Sequence, residues 1–413
     1  MRIAIVDPFC DKREFQRSPA RRVLLHILLS DQSYHVDYYC SEDIAALSLE
    51  RQQTIEASRR FSCITSYNPL WSQLMAFRKF DALMWACSRR YPHSERWARE
   101  LASRMTASQT AGRLRRSQKA YDAVIAINDL GLVASEGMPT DCPLIYYNLE
   151  LYDEEYPHFV WRAWRKKMKK WERARFRVVD LLIIQSEERA CYLFEDMRQP
   201  FKRDKYVELP VTYPGKARKV RSDYLRKHHP ELGHKMILLQ QNVGWPRRSE
   251  EIAKMATRSS NKDFAIVFNG GMFPDQPACY VQHKRFLDYT QLDMLVASAD
   301  IGLIFYLADT ENERLISHAS GQLSHFMMLG IPVIASYTPS LERLITSYKC
   351  GIVVHTAGEI YAAAERIRNN YEEYCAAAIA CFEAEYDLAK YQGKIFERLR
   401  TLRLKKREQI FRP

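Results

Sequence analysis

The sequence predicts an α/β fold of two parallel-sheet halves, and three observations carry that expectation. Short uninterrupted apolar runs recur along the chain, each closed by a polar or turn residue, as strands covered on both faces require. Longer charged, helix-like stretches separate them, the alternation expected of parallel strands joined by crossover helices. The 413 residues exceed the roughly 250–300 at which a single core stops growing, so two domains are expected.

The first strand is expected over 3–6, where Ile3, Ala4, Ile5 and Val6 run apolar until Asp7 and Pro8 end the run. Further strands are expected within 121–129 (YDAVIAIND), 142–150 (CPLIYYNLE) and 179–186 (VDLLIIQS). Between 209 and 232, three prolines, a glycine and many charges separate two periodic regions, which reads as a domain boundary. Strands then resume in 235–241, 264–271, 299–306, 331–336 and 351–356, and from about 357 the pattern turns wholly helical. The expected organisation is an N-terminal Rossmann-like domain over 1–210, a second over 211–382, and a helical tail over 383–413 that packs back on the first. Each half is expected to hold about five strands, the two facing across a cleft.

Composition narrows the function classes. Hydrophobic residues make up 47% and charged residues 27%, which excludes a disordered or fibrous chain. The longest apolar runs are far short of the ~20 residues needed to cross a bilayer, and the start MRIAIVDPF lacks the apolar stretch of a secretory leader. Ten scattered cysteines without a C-x-x-C pattern fit neither a zinc site nor a disulfide scaffold, and the expected setting is a reducing cytoplasm.

The net charge of +12 is concentrated. Residues 59–119 hold 13 basic and 3 acidic residues, 161–177 hold 9 and 1, 202–227 hold 9 and 3, and 398–412 hold 7 and 1, so the rest of the chain is net acidic. In 161–177, Trp161, Trp164, Met168 and Trp171 recur at steps of three and four beside a dense basic face. Such a helix would lie on an anionic membrane surface or hold a lipid-linked acceptor. The other reading packs the stripe on the sheet and leaves the basic face to water. Nucleic acid is an unfavoured partner, because no helix-turn-helix, zinc-finger or RNP-like motif accompanies the charge.

Two segments carry candidate chemistry. In SHASGQLSHFMMLGIPVIAS (317–336), Ser320 and Gly321 open a short helix, Gly330 ends it and a buried strand follows. The amides of Ser320, Gly321 and Gln322 would then point at a ligand as phosphate-binding donors, with Ser324 and His325 on the same helix. An ordinary capped helix reads the same way. In ILLQQNVGWPRRSEEIAKMA (237–256), a strand and a turn holding Asn242 and Gly244 lead to Arg247 and Arg248. An arginine there would clamp a diphosphate through paired N–H donors; simple solvation is the alternative.

Together these segments resemble the C-terminal half of GT-B glycosyltransferases of the family-4 kind. The helix, glycine and Pro-Val-Ile strand of GQLSHFMMLGIPVIAS are similar to that family's, as is the strand, turn and basic residue of LLQQNVGWPRRSEEI. RFLDYTQLDMLVASADIGLIFY (285–306) and WERARFRVVDLLIIQSEERA (171–190) extend the resemblance over most of 121–400. It implies a GT-B fold and a nucleotide-sugar donor as substrate, with no cofactor. Arg248 would meet the diphosphate, with Asn242 and Gly244 beside it; the 320–322 amides would hold the distal phosphate; Phe286, Leu287 and Tyr289 would line the base pocket. Glu150 and Asp129 would serve the acceptor as the catalytic carboxylates.

The chain departs from the family pattern at several places. Ser317 and His325 stand where the family has two glutamates, Asn242 where it has a first cation, and Leu149 where it has an acceptor-side histidine. The glycine pair usual after the first strand is missing, which leaves Arg13, Arg17 and Arg21 as substitutes. No D-x-D pair occurs, so a metal-independent reaction is expected, with cations and helix dipoles holding the leaving diphosphate.

The expected function is transfer of a sugar, with retention, to a saccharide or lipid-linked acceptor in cell-surface polysaccharide or glycoconjugate synthesis. The expected location is the cytoplasm, with peripheral attachment to the inner membrane face. The alternative is a catalytically weak GT-B relative that binds a glycan or a partner protein.

Overall fold

The computed structural model describes the chain except for residues 9, 45–58, 66–106, 118, 137, 139–141, 155–161, 242–245, 259–260, 271–279, 284–286, 288 and 412–413. The chain divides into two compact units, one formed by Met1–Leu209 with Lys390–Pro413 and the other by Pro210–Ala389.

The first unit is built on a seven-stranded sheet in the order β3-β2-β1-β4-β5-β6-β7. Its strands are β1 (Arg2–Val6), β2 (His35–Cys40), β3 (Phe61–Thr65), β4 (Ala123–Ile127), β5 (Leu144–Tyr147), β6 (Leu181–Ile184) and β7 (Tyr206–Glu208). Every pairing is parallel. The second unit has a six-stranded sheet, β10-β9-β8-β11-β12-β13. It comprises β8 (Met236–Gln240), β9 (Phe264–Asn269), β10 (Val281–His283), β11 (Ile301–Ile304), β12 (Val333–Ser336) and β13 (Gly351–Val354), again all parallel. The class is α/β, with seven and six strands where about five per half were expected.

The additional strands are those with weak apolar signatures. His35–Cys40 reads HVDYYC, with Asp37 inside it, yet Asp37 is buried because Arg2 and Lys119 pair with it at 2.8 and 3.2 Å. β7 and β10 have three residues each, too few for a period to register.

Alternation along the second sheet shows why its strands read as continuous apolar runs. Ile237 and Leu239 of β8 join one core cluster while Leu238 joins the other; Val267 of β9 opposes Ile266 and Phe268, and Val333 and Ala335 of β12 oppose Ile334. Both faces are therefore dry. Helices Gly321–Met328 and Tyr371–Glu385 contribute Phe326 and Phe382 to one side; helices Pro246–Arg258 and Ile360–Asn369 contribute Ile252 and Ile367 to the other.

The helix Ala389–Phe411 belongs to the first unit. Its Ile395 and Leu399 are fully buried and Phe396 lies against Tyr34. Gln392 bonds Ser30, and Arg400, Arg403 and Lys406 pair with Asp31, Asp122 and Asp180. No helix among the described residues is long and apolar enough to cross a membrane.

Candidate functional site

Strand order within each sheet reverses direction at one point, β1/β4 in the first and β8/β11 in the second. Open α/β sheets take ligands at the carboxyl ends of strands beside such a point.

In the second unit, β8 ends at Gln240, and the helix Pro246–Arg258 that follows carries Arg247 and Arg248 in its first turn. Asn242 and Gly244 lie outside the described residues, as do the side chains of Arg247 and Arg248. On the base-pocket side, Phe286 also lies outside them; Leu287 packs half-buried against the core, and Tyr289 opens the helix Tyr289–Val296.

The helix Gly321–Met328 is built as its sequence implies. Ser320 is its N-cap, extended in backbone, with Oγ accepting the Leu323 amide at 3.2 Å. Gly330 follows with φ +64°, the left-handed conformation that closes helices at a glycine. The Ser324 amide bonds the Ser320 carbonyl at 3.2 Å, which leaves the Gly321 and Gln322 amides without a bond among the described residues. Tyr306, just past β11, sets its hydroxyl 2.9 Å from Ser320 Oγ, while its own backbone is tied at both N–H and carbonyl to Ser336 Oγ at the end of β12. Tyr306 thus fixes the cap against two strand ends, a role that no motif announced.

His325 is almost wholly buried. Its ring stacks on Tyr213 with centroids 4.3 Å apart, and Nε2 lies 3.0 Å from Asp293 Oδ1. A ribose contact from His325 would have to come from a ring already stacked on Tyr213 and set against Asp293. Asp293, on the helix Tyr289–Val296, is the carboxylate nearby that sequence reading missed; only spatial proximity reveals it. Ser317 donates its amide to Ser340 Oγ at 3.2 Å and accepts the Tyr386 hydroxyl on its carbonyl at 2.9 Å.

In the first unit, the turn after β4 places Asn128 at φ +55°, a conformation asparagine tolerates, and its side chain accepts the Leu149 amide at 2.8 Å. Gly131 lets the helix Asn128–Ala134 approach β1: a Cβ there would stand 2.4 Å from the Val6 carbonyl oxygen. Asp129 accepts the Leu130 amide at 2.8 Å and Arg165 Nη1 at 2.5 Å. Arg165, itself buried, also donates to the carbonyls of Tyr152 and Asp153. Arg189 donates to the Leu149 carbonyl at 3.1 Å; burial pushes its guanidinium down to about 10, against the pull of Glu150 and Tyr152. Two buried arginines therefore hold the backbone on either side of half-buried Glu150. Asp129, tied to Arg165 and to the Leu130 amide, locks that turn. Of the proposed N-terminal arginines, Arg21 is spent on Asp7 at 2.6 Å, both buried.

The basic helix departs from its expected amphipathic pattern. In Arg162–Phe176 the buried residues include Arg165, Met168, Lys169, Glu172 and Phe176, whereas Trp171 is 39% exposed. Lys169 pairs with Glu172 at 2.7 Å and Asp196 at 2.6 Å; Arg173 also pairs with Asp196, at 2.9 Å. Of the expected stripe, Met168 is buried but Trp171 is not, and internal carboxylates draw two of the basic side chains, Arg165 and Lys169, inward beside Met168. Trp161 and the Trp164 side chain lie outside the described residues. What faces water is Lys166, Lys167, Lys170 and Trp171, with Lys167 Nζ 4.8 Å from the Trp171 ring centroid.

No protein-family profile matches the chain, and no curated protein matches it in sequence. Solved structures do. Sucrose-phosphate synthase from Thermosynechococcus elongatus aligns with a TM-score of 0.64 at 13% identity, over 97% of this chain and 98% of that one. Anabaena HepE in complex with UDP-glucose also gives 0.64, at 14% identity, over 97% and 100%. These are GT-B structures. The chain has the GT-B fold. Its two parallel sheets and long final helix are the GT-B parts, and the two switch-point regions described above sit one in each GT-B domain. Among the described residues, no group of three His, Cys, Asp or Glu side chains could hold a metal ion.

Proposed function

We propose that this chain is a glycosyltransferase that moves a sugar from a nucleotide donor to a saccharide or lipid-linked acceptor, in the making of a cell-surface polysaccharide or glycoconjugate. The observation that carries the reading is the Ser320-capped helix Gly321–Met328, with two unbonded first-turn amides, in a GT-B second unit. Such a helix end offers N–H donors and a partial positive charge to a leaving diphosphate. UDP-glucose on HepE supports a uridine donor. In this reading Arg248 adds charge to the diphosphate and Leu287 borders the base. Charge on the departing phosphate is balanced by protein cations and amides, so no metal is required, and retention follows if that phosphate takes the acceptor proton on the attacked face. Glu150, on its arginine-held turn, faces the acceptor.

A panel of nucleoside diphosphates, UDP first, tests this in thermal unfolding. A ligand at a hundredfold excess over its Kd stabilises by about 2.7 kcal/mol, a shift of several degrees for a unit of this size. Arg248→Ala is expected to abolish the shift, and the matching sugar nucleotide to be hydrolysed slowly without acceptor. The competing reading, a weakly catalytic GT-B relative that binds a glycan or protein, is favoured by His325 stacked on Tyr213 beside Asp293 and by Asp129 tied to Arg165. It predicts neither stabilisation nor hydrolysis across the whole panel.

A further inference from the structure

Two thiols in the first unit touch. Cys40 ends β2, and Cys63 lies in the edge strand β3. The parallel register sets Tyr38 beside Cys63 and Cys40 beside Thr65, so the two cysteines share one face of the sheet, one pair apart. Their sulfurs are 3.1 Å apart. The turn after β2 folds over them: the Glu42 carbonyl lies 3.0 Å from Cys40 Sγ and 3.6 Å from Cys63 Sγ, and the Ile44 amide donates to Cys63 Sγ at 3.5 Å.

The two sulfurs differ in access. Cys40 is fully buried, while Cys63 is partly exposed. We propose that Cys40 and Cys63 are a reversible disulfide site for a peroxide oxidant, with Cys63 the attacking sulfur and Cys40 the resolving one, and that the bond clamps edge strand β3 onto β2. The thiol–thiol hydrogen bond also holds Cys63 below the ordinary thiol range and Cys40 above it, which puts thiolate character on the accessible partner.

The chemistry closes on these two residues and one peroxide. The Cys63 sulfur gives an electron pair to a peroxide oxygen; the O–O bond breaks and hydroxide leaves, taking a proton to become water. The Cys40 sulfur then attacks the Cys63 sulfenic acid; its S–O bond breaks, the S–S bond forms and a second water leaves. Two thiols are oxidised and one hydrogen peroxide is reduced to two waters. A small dithiol reverses the bond.

The chain carries its own controls. Cys191 is an exposed single thiol that gauges the oxidant dose, and Cys350 and Cys381 are a hydrogen-bonded pair sealed in the core of the second unit. After graded hydrogen peroxide and alkylation of the full chain, mapping of unreduced peptides is expected to find a Cys40–Cys63 cross-link, lighter by two hydrogens, with Cys350 and Cys381 still alkylated. Cys40→Ser should instead leave Cys63 as a sulfenic acid that dimedone traps. The thermal midpoint of the wild type should rise on oxidation and fall back with dithiothreitol. Oxidation of Cys191 with Cys40 and Cys63 both still alkylated would overturn the proposal, as would a cross-link from Cys63 to any other cysteine. The mapping on wild-type protein decides the matter whether or not the serine variant folds.

Discussion

Glu172 shares its buried site with two cations. Lys169 is 2.7 Å away and Arg165 3.7 Å, while Tyr146 donates its hydroxyl at 2.7 Å. Burial holds the carboxyl above its ordinary value of 4.5, with Lys169 and Arg165 pulling the other way. A raised folded value means that the fold prefers the protonated form, so the stabilisation is full below the unfolded value and is lost as pH climbs through the folded one. Glu172→Gln should therefore gain on the wild type in urea unfolding as pH rises from about 4 to about 7. A wild-type advantage that grows over the same interval would mean that the ion pairs outweigh burial. Sequence could not expose this cluster, because Asp129, Arg165, Lys169, Glu172 and Asp196 meet only after two crossovers. An arginine or lysine among many reads as solvated until its partner is located.

At the scale of elements, the nine strands marked by apolar runs were legible because burial on both faces removes polar residues from them. β2, β3, β7 and β10 were not, since edge position, shortness or a paired Asp37 frees their sequences from that demand. The helix Gly321–Met328 was legible at both ends, through Ser320 and Gly330, whereas the Tyr306 and Asp293 contacts depend on tertiary neighbours that leave no local mark. The helix Ala389–Phe411 shows a similar division: its helicity is local, but its attachment rests on Ile395, Leu399 and three ion pairs. Burying the two aliphatic side chains is worth about 3–6 kcal/mol together, and each partly exposed ion pair about 0–1 kcal/mol. Removal of 390–413 should thus strip most of the first unit's stability, while Arg403→Ala with Lys406→Ala should lower it only slightly. Guanidinium melts of the three proteins, followed by circular dichroism, check the ranking.

Over the whole molecule, part of the positive charge of two basic segments, the helix Arg162–Phe176 and the last helix, is met by carboxylates of the same unit. Arg165, Lys169 and Arg173 face Asp129, Glu172 and Asp196, and the last helix's cations face Asp31, Asp122 and Asp180. On the helix Arg162–Phe176, Lys166, Lys167 and Lys170 beside Trp171 still face water, so an anionic membrane surface meeting this helix would be held weakly and in a strongly salt-dependent way. In flotation assays the chain is expected to rise with anionic vesicles at low salt but not with neutral ones, and K166E/K167E/K170E to abolish flotation; equal flotation of that variant would place attachment elsewhere. The first unit has a further property, set by chain order. Its two parts, Met1–Leu209 and Lys390–Pro413, bracket the whole of Pro210–Ala389. At about 5–20 residues per second on a ribosome, roughly ten to forty seconds pass between the two. During that interval the surfaces that receive Ile395, Leu399 and Phe396 stand uncovered, so a nascent chain is most exposed to chaperones and proteases at its oldest domain rather than its newest.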